Sequence, residues 1–452
     1  MSGRSVPWVG EGNVALLTDL YELTMAQAYW RDGMNEPAVF SLFVRTLPRT
    51  RNFLLACGVA DALALLETFR FSQDALEYLE GTGRFAREFL DWLGELRFTG
   101  NVHAVPDGTP VFGNEPIMEI EAPLIEAQIV ETILMNQVQV QTLLASKAAR
   151  VVRAAGGRTV VDFGLRRAQG ADAGLKGARA FWVAGVDATS NVLAGKVYGM
   201  PIAGTMAHSY VQSFDHELDA FRAFTRVYPD TILLVDTYDT LEGVRHVVQL
   251  ARELGDEFRV RAIRLDSGDL AELAFRAREI LDAAGLEQVE IFASGGLDEY
   301  RIADIVARGA PITGFGVGTS MAVASDAPAM DVAYKLTEYA GRGRLKLSPG
   351  KRLLPGRKQV FRIEQDGRAV RDVLARRDEL LDGRPLLRPA MANGRVVDES
   401  FLDLGLARAR AREEIAKLPD RVQAIEPADP PYPVEISEAL RAYGAEVGAS
   451  VG

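Results

Sequence analysis

The chain has 452 residues, 48% of them apolar and 25% charged, with one cysteine and a net charge of −11. That length points to two or three domains rather than one small core, and the acidic balance argues against a nucleic-acid partner, which needs a basic face. The lone Cys57 leaves no internal disulfide, as suits a reducing, cytoplasmic compartment.

The N-terminal stretch carries Glu11, Asp19 and Glu22 among apolar residues and lacks the basic-then-apolar shape of a secretory signal. No run of about 18 uncharged apolar residues occurs, so no membrane partner is expected. Cys57 ends the run Phe53-Leu54-Leu55-Ala56-Cys57 and reads as a small buried hydrophobe. Residues 98–123, rich in Pro, Gly and alternating apolar positions, predict short strands and turns. Residues 125–150 predict a long amphipathic helix.

From there two textures alternate. Apolar or β-branched runs predict strands at Thr159–Gly164, Ala180–Gly185, Pro201–Gly204, Thr231–Asp236, Val260–Asp266, Val289–Ser294 and Ile312–Gly316. Continuous apolar strands of this kind are buried on both faces, as in parallel sheets. Helical stripes follow Asp239, Asp269 and Asp298 and stop at Gly255, Gly285 and Gly309, with a capping residue at each start and glycine at each end. Asp236 to Asp266 is 30 residues and Asp266 to Ser294 is 28, the lengths of βα units. The fold class expected is α/β: an irregular (β/α) barrel over 126–337, with a doubly wound open sheet as the alternative. A second α/β domain is expected from 1–125, completed by 338–400. There Leu345-Lys346-Leu347 and Gln359–Arg362 read as strands. Residues 404–416 and 435–447 read as helices of a helical C-terminal segment, 401–452, with a loop at Pro427–Pro433.

In such folds chemistry gathers at the carboxyl ends of the strands. Arg264-Leu265-Asp266-Ser267-Gly268-Asp269 puts a guanidinium, two carboxylates and a hydroxyl at one strand end. The carboxylates suit ribose hydroxyls or Mg²⁺, and Arg264 suits a forked grip on a carboxylate or phosphate; helix capping by Ser267 or Asp269 is the plainer role. Gly295-Gly296, and Gly314 to Ser320 with Gly316, Gly318 and Thr319, are turns that let backbone N–H groups approach a phosphate. Phe163, Arg166 and Arg167 offer a ring to stack on a planar ligand and cations to pair with its acid group. His208, one of four histidines, follows a short strand between hydroxyl residues. A structural histidine is the plainer reading, and no HExxH or other metal spacing supports a ligand role.

In order, Leu16 to Met25, Asp162-Phe163-Gly164-Leu165-Arg166-Arg167, Gly204-Thr205-Met206-Ala207-His208-Ser209, Arg264 to Asp269 and Gly316-Val317-Gly318-Thr319 resemble nicotinate phosphoribosyltransferase. The likeness runs from about residue 13 to 362, with Lys346 to Lys351 and Pro355-Gly356 also similar. It implies an enzyme that joins nicotinate to 5-phosphoribosyl 1-diphosphate, giving nicotinate mononucleotide and diphosphate at the start of NAD salvage. It also implies ATP as co-substrate, coupled through a phosphorylated His208, with Mg²⁺ as cofactor. The resemblance further implies a homodimer with shared active sites, in which Tyr21 reaches from the second subunit and sandwiches the pyridine against Phe163. Arg166, Thr205 and Arg264 would bind nicotinate or the diphosphate, and Asp236 and Asp266 would approach the ribose and Mg²⁺. Gly295, Gly296, Gly316, Gly318 and Thr319 would hold the 5-phosphate.

The similar nicotinamide phosphoribosyltransferase family carries an acidic residue where Ser190 stands, which favours the acid substrate here, although Asp187 lies close by. Quinolinate, a dicarboxylate, would want more cations. A metabolite-binding protein on the same fold, without turnover, would be expected to lack His208 or Asp266. A barrel aldolase would need a lysine at a strand end, and none of these ends has one.

Overall fold

The computed structural model describes residues 9–10, 12–346 and 353–451. The chain divides into two compact units, Met1–Leu143 with Ala329–Gly452, and Leu144–Pro328.

The second unit is built on a six-stranded parallel sheet. Its spatial order is Ala188–Thr189, Thr159–Asp162, Gly314–Val317, Glu290–Ala293, Ala262–Leu265 and Ile232–Leu234. Leu233, Ile263, Ile291, Phe315 and Val317 are buried, as their unbroken apolar runs require. The helices between strands begin where the capping residues place them. Asp239 accepts from the N–H groups of Leu241 and Glu242, Asp269 from Glu272, and Asp298 from Tyr300 and Arg301. Each such cap is worth about 1 kcal/mol. In Thr240–Leu254 the stripe Val244, Val247 and Val248 is buried, at about 1.5–3 kcal/mol per side chain.

Two expected strands come out differently. Ala180–Gly185 is not a strand: helix Ala171–Val183 runs into it, and the chain enters the sheet only at Ala188. A short apolar run fits a buried helix face as well as a strand. Here Gly177, Ala178, Phe181 and Val183 bury one side of the helix. Pro201–Gly204 contributes a single parallel bridge, Ile202 to Thr189. Strand order therefore follows the chain around an arc but stops short of closure. No strand pairing joins Ile202 to Ile232, and the helices His208–Gln212 and Glu217–Val227 lie in the intervening chain. The sheet is a curled half-barrel rather than a closed barrel.

The first unit carries a seven-stranded sheet. Pro37–Val44 pairs antiparallel with Val332–Tyr339 on one side and Pro116–Pro123 on the other, and Asn101–Ala104 follows. A four-stranded sheet holds Lys358–Gln365 against Arg368–Arg376, with Val434–Ile436 added in parallel. The buried pair Arg362–Asp372, 2.6 Å apart, ties its two central strands, and Tyr432 donates to the same carboxylate. The helix expected at 125–150 forms as Leu124–Ile129 and Glu131–Ala155. Those expected at 404–416 and 435–447 form as Leu404–Lys417 and Glu438–Val451. Leu345 and Lys346 lie in no strand; Leu347, and with it most of the stretch Lys346 to Lys351, lies outside the described residues. Cys57 is buried. Among the described residues no helix is long and apolar enough to cross a membrane.

Candidate active site

A cavity of about 680 Å³ opens at the carboxyl ends of the half-barrel strands. Phe163, Arg166, Ser190, Thr205, His208, Arg264, Asp266, Gly295, Gly296, Gly316, Gly318 and Thr319 all line it. Asp236 and Asp269 do not, and Tyr21 belongs to the first unit.

The strand Thr159–Asp162 ends in a braced turn. Buried Asp162 accepts from Gly164 N at 2.7 Å and from Thr189 Oγ1 at 2.7 Å, and burial pushes its carboxyl above the usual range. The turn delivers Phe163. A Cβ on Gly316 would stand 2.3 Å from the Phe163 ring, so this glycine makes room for the ring itself. The Arg264 guanidinium lies over the same ring, 5.9 Å from its centroid, and donates to Met206 O at 3.1 Å. Its Nε has no hydrogen-bond partner. Burial lowers the Arg264 pKa, against the pull of Asp266 and Asp236. Arg166 and Arg167 add two exposed guanidiniums on the turn Leu165–Arg167.

His208 opens the helix His208–Gln212. Its Nδ1 sits 3.1 Å from Thr237 Oγ1, and its Nε2 faces Asp266 Oδ2 at 3.8 Å. Asp266 also accepts from Ser294 Oγ. Asp236 braces this turn with one oxygen: its Oδ2 accepts from Asp266 N and Ser267 Oγ, both at 2.8 Å. Its Oδ1 is buried without a partner. Asp269 caps helix Leu270–Asp282 and pairs with Arg308 at 3.1 Å. Gly295 has φ +87°, and a Cβ there would come within 1.7 Å of Asp266 O. The cavity thus carries three guanidiniums and one imidazole against one carboxylate, a local excess of positive charge in an acidic chain. A cavity of about 460 Å³ in the first unit also gathers arginines, but each already meets an acid: Arg357–Glu338 at 3.3 Å, Arg376–Asp378 at 2.9 Å and Arg377–Glu119 at 2.5 Å.

Tyr21 stands on helix Leu20–Arg31 of the first unit and is 45% exposed, with partial burial and the nearby Glu131 carboxylate holding its hydroxyl pKa above the ordinary value. Beneath it Glu22 is wholly buried and accepts from Thr18 and Thr132. Burial pushes its carboxyl up to about 7. The fold favours the neutral acid, so this contribution to stability is complete below about pH 4.5 and lost as pH rises through about 7. Glu22→Gln should therefore flatten the fall in melting temperature between about pH 5 and 8. Parallel melting curves for the two proteins would contradict it.

Comparison with known proteins supplies the chemistry. Family models described as the nicotinate phosphoribosyltransferase (NAPRTase) N-terminal domain and the NAPRTase family match residues 16–139 and 159–351. The chain is 56% identical over 426 residues to nicotinate phosphoribosyltransferase pncB2 of Mycobacterium tuberculosis, covering 94% of this chain and 92% of that one. The chain belongs to the nicotinate phosphoribosyltransferase family. It is therefore an enzyme, and its place is in NAD salvage. The nicotinate phosphoribosyltransferase of Bacillus subtilis is 42% identical over 388 residues, covering 84% and 79% of the two chains. A crystal structure of human nicotinic acid phosphoribosyltransferase superposes with a TM-score of 0.84 at 29% identity, covering 95% and 99%.

The nicotinate phosphoribosyltransferase motifs contain Leu165, Met206, Ala207 and Ser209 but give them no role, and all four line the cavity. Ser294 and Leu297 line it too, outside those motifs, and Thr237 stands behind His208. Ser294 carried a signal, since it ends a strand beside Gly295; Thr237 carried none.

Proposed function

We propose that the half-barrel cavity binds nicotinate over Phe163 and 5-phosphoribosyl 1-diphosphate across the strand ends, and transfers the phosphoribosyl group with ATP coupling through His208. The observation that carries the reading is the cluster of Arg264 over Phe163 beside the facing pair His208 and Asp266. The ring supplies a stacking surface, and Arg264 or Arg166 pairs with the pyridine carboxylate. As the bond from ribose C1 to diphosphate breaks, its electron pair leaves with the diphosphate and the pyridine nitrogen closes on C1. Asp266 stabilises the positive charge growing at the ribose, while Arg166, Arg167 and the Gly295-Gly296 turn meet the departing anion. The ring nitrogen needs no base, only alignment.

Mg²⁺ fits the residues present. Among the described residues no group of three or more acidic, histidine or cysteine side chains could hold a metal ion. Mg²⁺ bound through substrate phosphates needs only one or two carboxylates, and Asp266 and the unpartnered Asp236 Oδ1 would serve. Once bound, the ion neutralises the diphosphate. In the coupled step a His208 ring nitrogen takes the γ-phosphoryl of ATP and the bridging electron pair leaves on ADP. Tyr21 belongs to the first unit, and we assign it to the site of a second subunit in a homodimer, opposite Phe163. Ser190 supports nicotinate over nicotinamide, and a cytoplasmic setting suits the single buried cysteine.

Product analysis with nicotinate and nicotinamide, each with and without ATP, tests the reading. Nicotinate mononucleotide should form, and faster with ATP. His208→Ala should abolish the ATP stimulation; stimulation surviving in that variant would remove His208 from the coupling. Equal use of nicotinamide would remove Ser190 from the selectivity.

A further inference from the structure

We propose that Thr237 is a positioning residue for this reaction, its hydroxyl holding the His208 imidazole by Nδ1 so that Nε2 faces Asp266 and the cavity. The inference rests on the reading that His208 serves the reaction. Thr237 follows strand Ile232–Leu234 by three residues and sits beside Asp236. This one strand end fixes both partners of the facing pair. Asp236 binds the backbone of Asp266 and the hydroxyl of Ser267, and Thr237 meets the imidazole at 3.1 Å.

The ring has little else to hold it. Its 3.8 Å approach to Asp266 is too long for a hydrogen bond. Its side chain is 40% exposed, so packing leaves it room to turn. The contact with Thr237 is the one hydrogen bond to the ring among the described residues. A hydroxyl can donate to or accept from a ring nitrogen, so this contact fixes the ring's orientation whichever nitrogen carries the proton. Without the hydroxyl the ring can rotate about χ2, where the energy surface is broad. A misplacement of about 1 Å at a reacting group can slow a reaction by as much as about 100-fold. Thr237 does not line the cavity, so its removal should act through His208 and leave substrate binding in place.

The test compares Thr237→Val, Thr237→Ser and His208→Ala in the full chain. It uses steady-state kinetics with ATP and nitrogen NMR of histidine-labelled protein. The chain has four histidines, so the His208 signals are those that vanish in His208→Ala. Thr237→Val should lower kcat about tenfold with both substrate KM values within about twofold, and Thr237→Ser should restore kcat. In Thr237→Val the His208 ring-nitrogen shifts should move, most at Nδ1, which loses its hydrogen-bond partner. Wild-type kcat and unmoved His208 shifts in Thr237→Val would overturn the proposal, while a slow His208→Ala alongside them would leave the role of His208 standing. His208→Ala at the wild-type rate with and without ATP would overturn the role of His208 itself. If Thr237→Val does not fold, Thr237→Ala carries the same comparison.

Discussion

Asp266→Asn is expected to lower kcat/KM for 5-phosphoribosyl 1-diphosphate by about 10²–10³-fold, the loss typical of one pre-organised electrostatic group at a reacting centre. The substitution changes charge and little else. Asparagine keeps an oxygen to accept from Ser294, and the backbone N–H of residue 266 still reaches Asp236. Melting temperature should therefore stay within about 2 °C of the wild type, since no buried group loses its partner. The carboxylate is about one third exposed and faces the imidazole without bonding to it. What disappears is a negative charge beside the ribose, at the moment C1 becomes positive. A rate within about tenfold of the wild type, measured with substrates below saturation, would mean the charge does not act there.

Gly295→Ala should be the more damaging change for the fold of the site. The new Cβ would lie 1.7 Å from the carbonyl oxygen of Asp266, and backbone cannot yield as a side-chain tip can. The left-handed φ of +87° adds strain of its own. Together these should cost about 3 kcal/mol and shift the Asp266 turn, with activity falling about 100-fold or more. Gly309→Ala is the control. Its φ is also positive, at +69°, but nothing lies within 4 Å of the added carbon. It should cost only about 1 kcal/mol and leave kcat near the wild type. Equal losses in the two variants, by melting and by kcat, would show that backbone strain alone matters and the contact with Asp266 does not.

Much of the half-barrel is legible along the chain because its signals are local. Asp239, Asp269 and Asp298 announce their helices through hydrogen bonds to residues two or three places on. Unbroken apolar runs mark strands covered on both faces. Ala180–Gly185 defeats that reading because a run of six apolar residues suits a buried helix face equally well. At the strand ends, residue type is visible but side-chain direction is not. Asp236 and Asp266 look alike in sequence, each ending an apolar strand. The structure turns Asp266 towards the cavity and Asp236 towards its neighbour's backbone. Asp269 likewise serves as a helix cap. Thr237 escapes notice because its partner is 29 residues away and meets it only once the chain has folded. Tyr21 shows the opposite limit: its motif is recognisable, yet it belongs to the first unit and the cavity to the second.

The unclosed arc of the half-barrel has a consequence for how the chain tolerates change. In a closed barrel, strand number, tilt and stagger are locked together, and altering one connection disturbs the register all the way round. Here the sheet ladder has a seam. Between the bridge at Ile202 and the strand beginning at Ile232 the chain makes no ladder hydrogen bond. The segment presenting His208 can thus be lengthened, shortened or shifted without any strand slipping against its neighbour. The histidine is mounted on a stretch of the wall that side chains hold, Arg264 at Met206 O and Thr237 at the ring, rather than ladder hydrogen bonds.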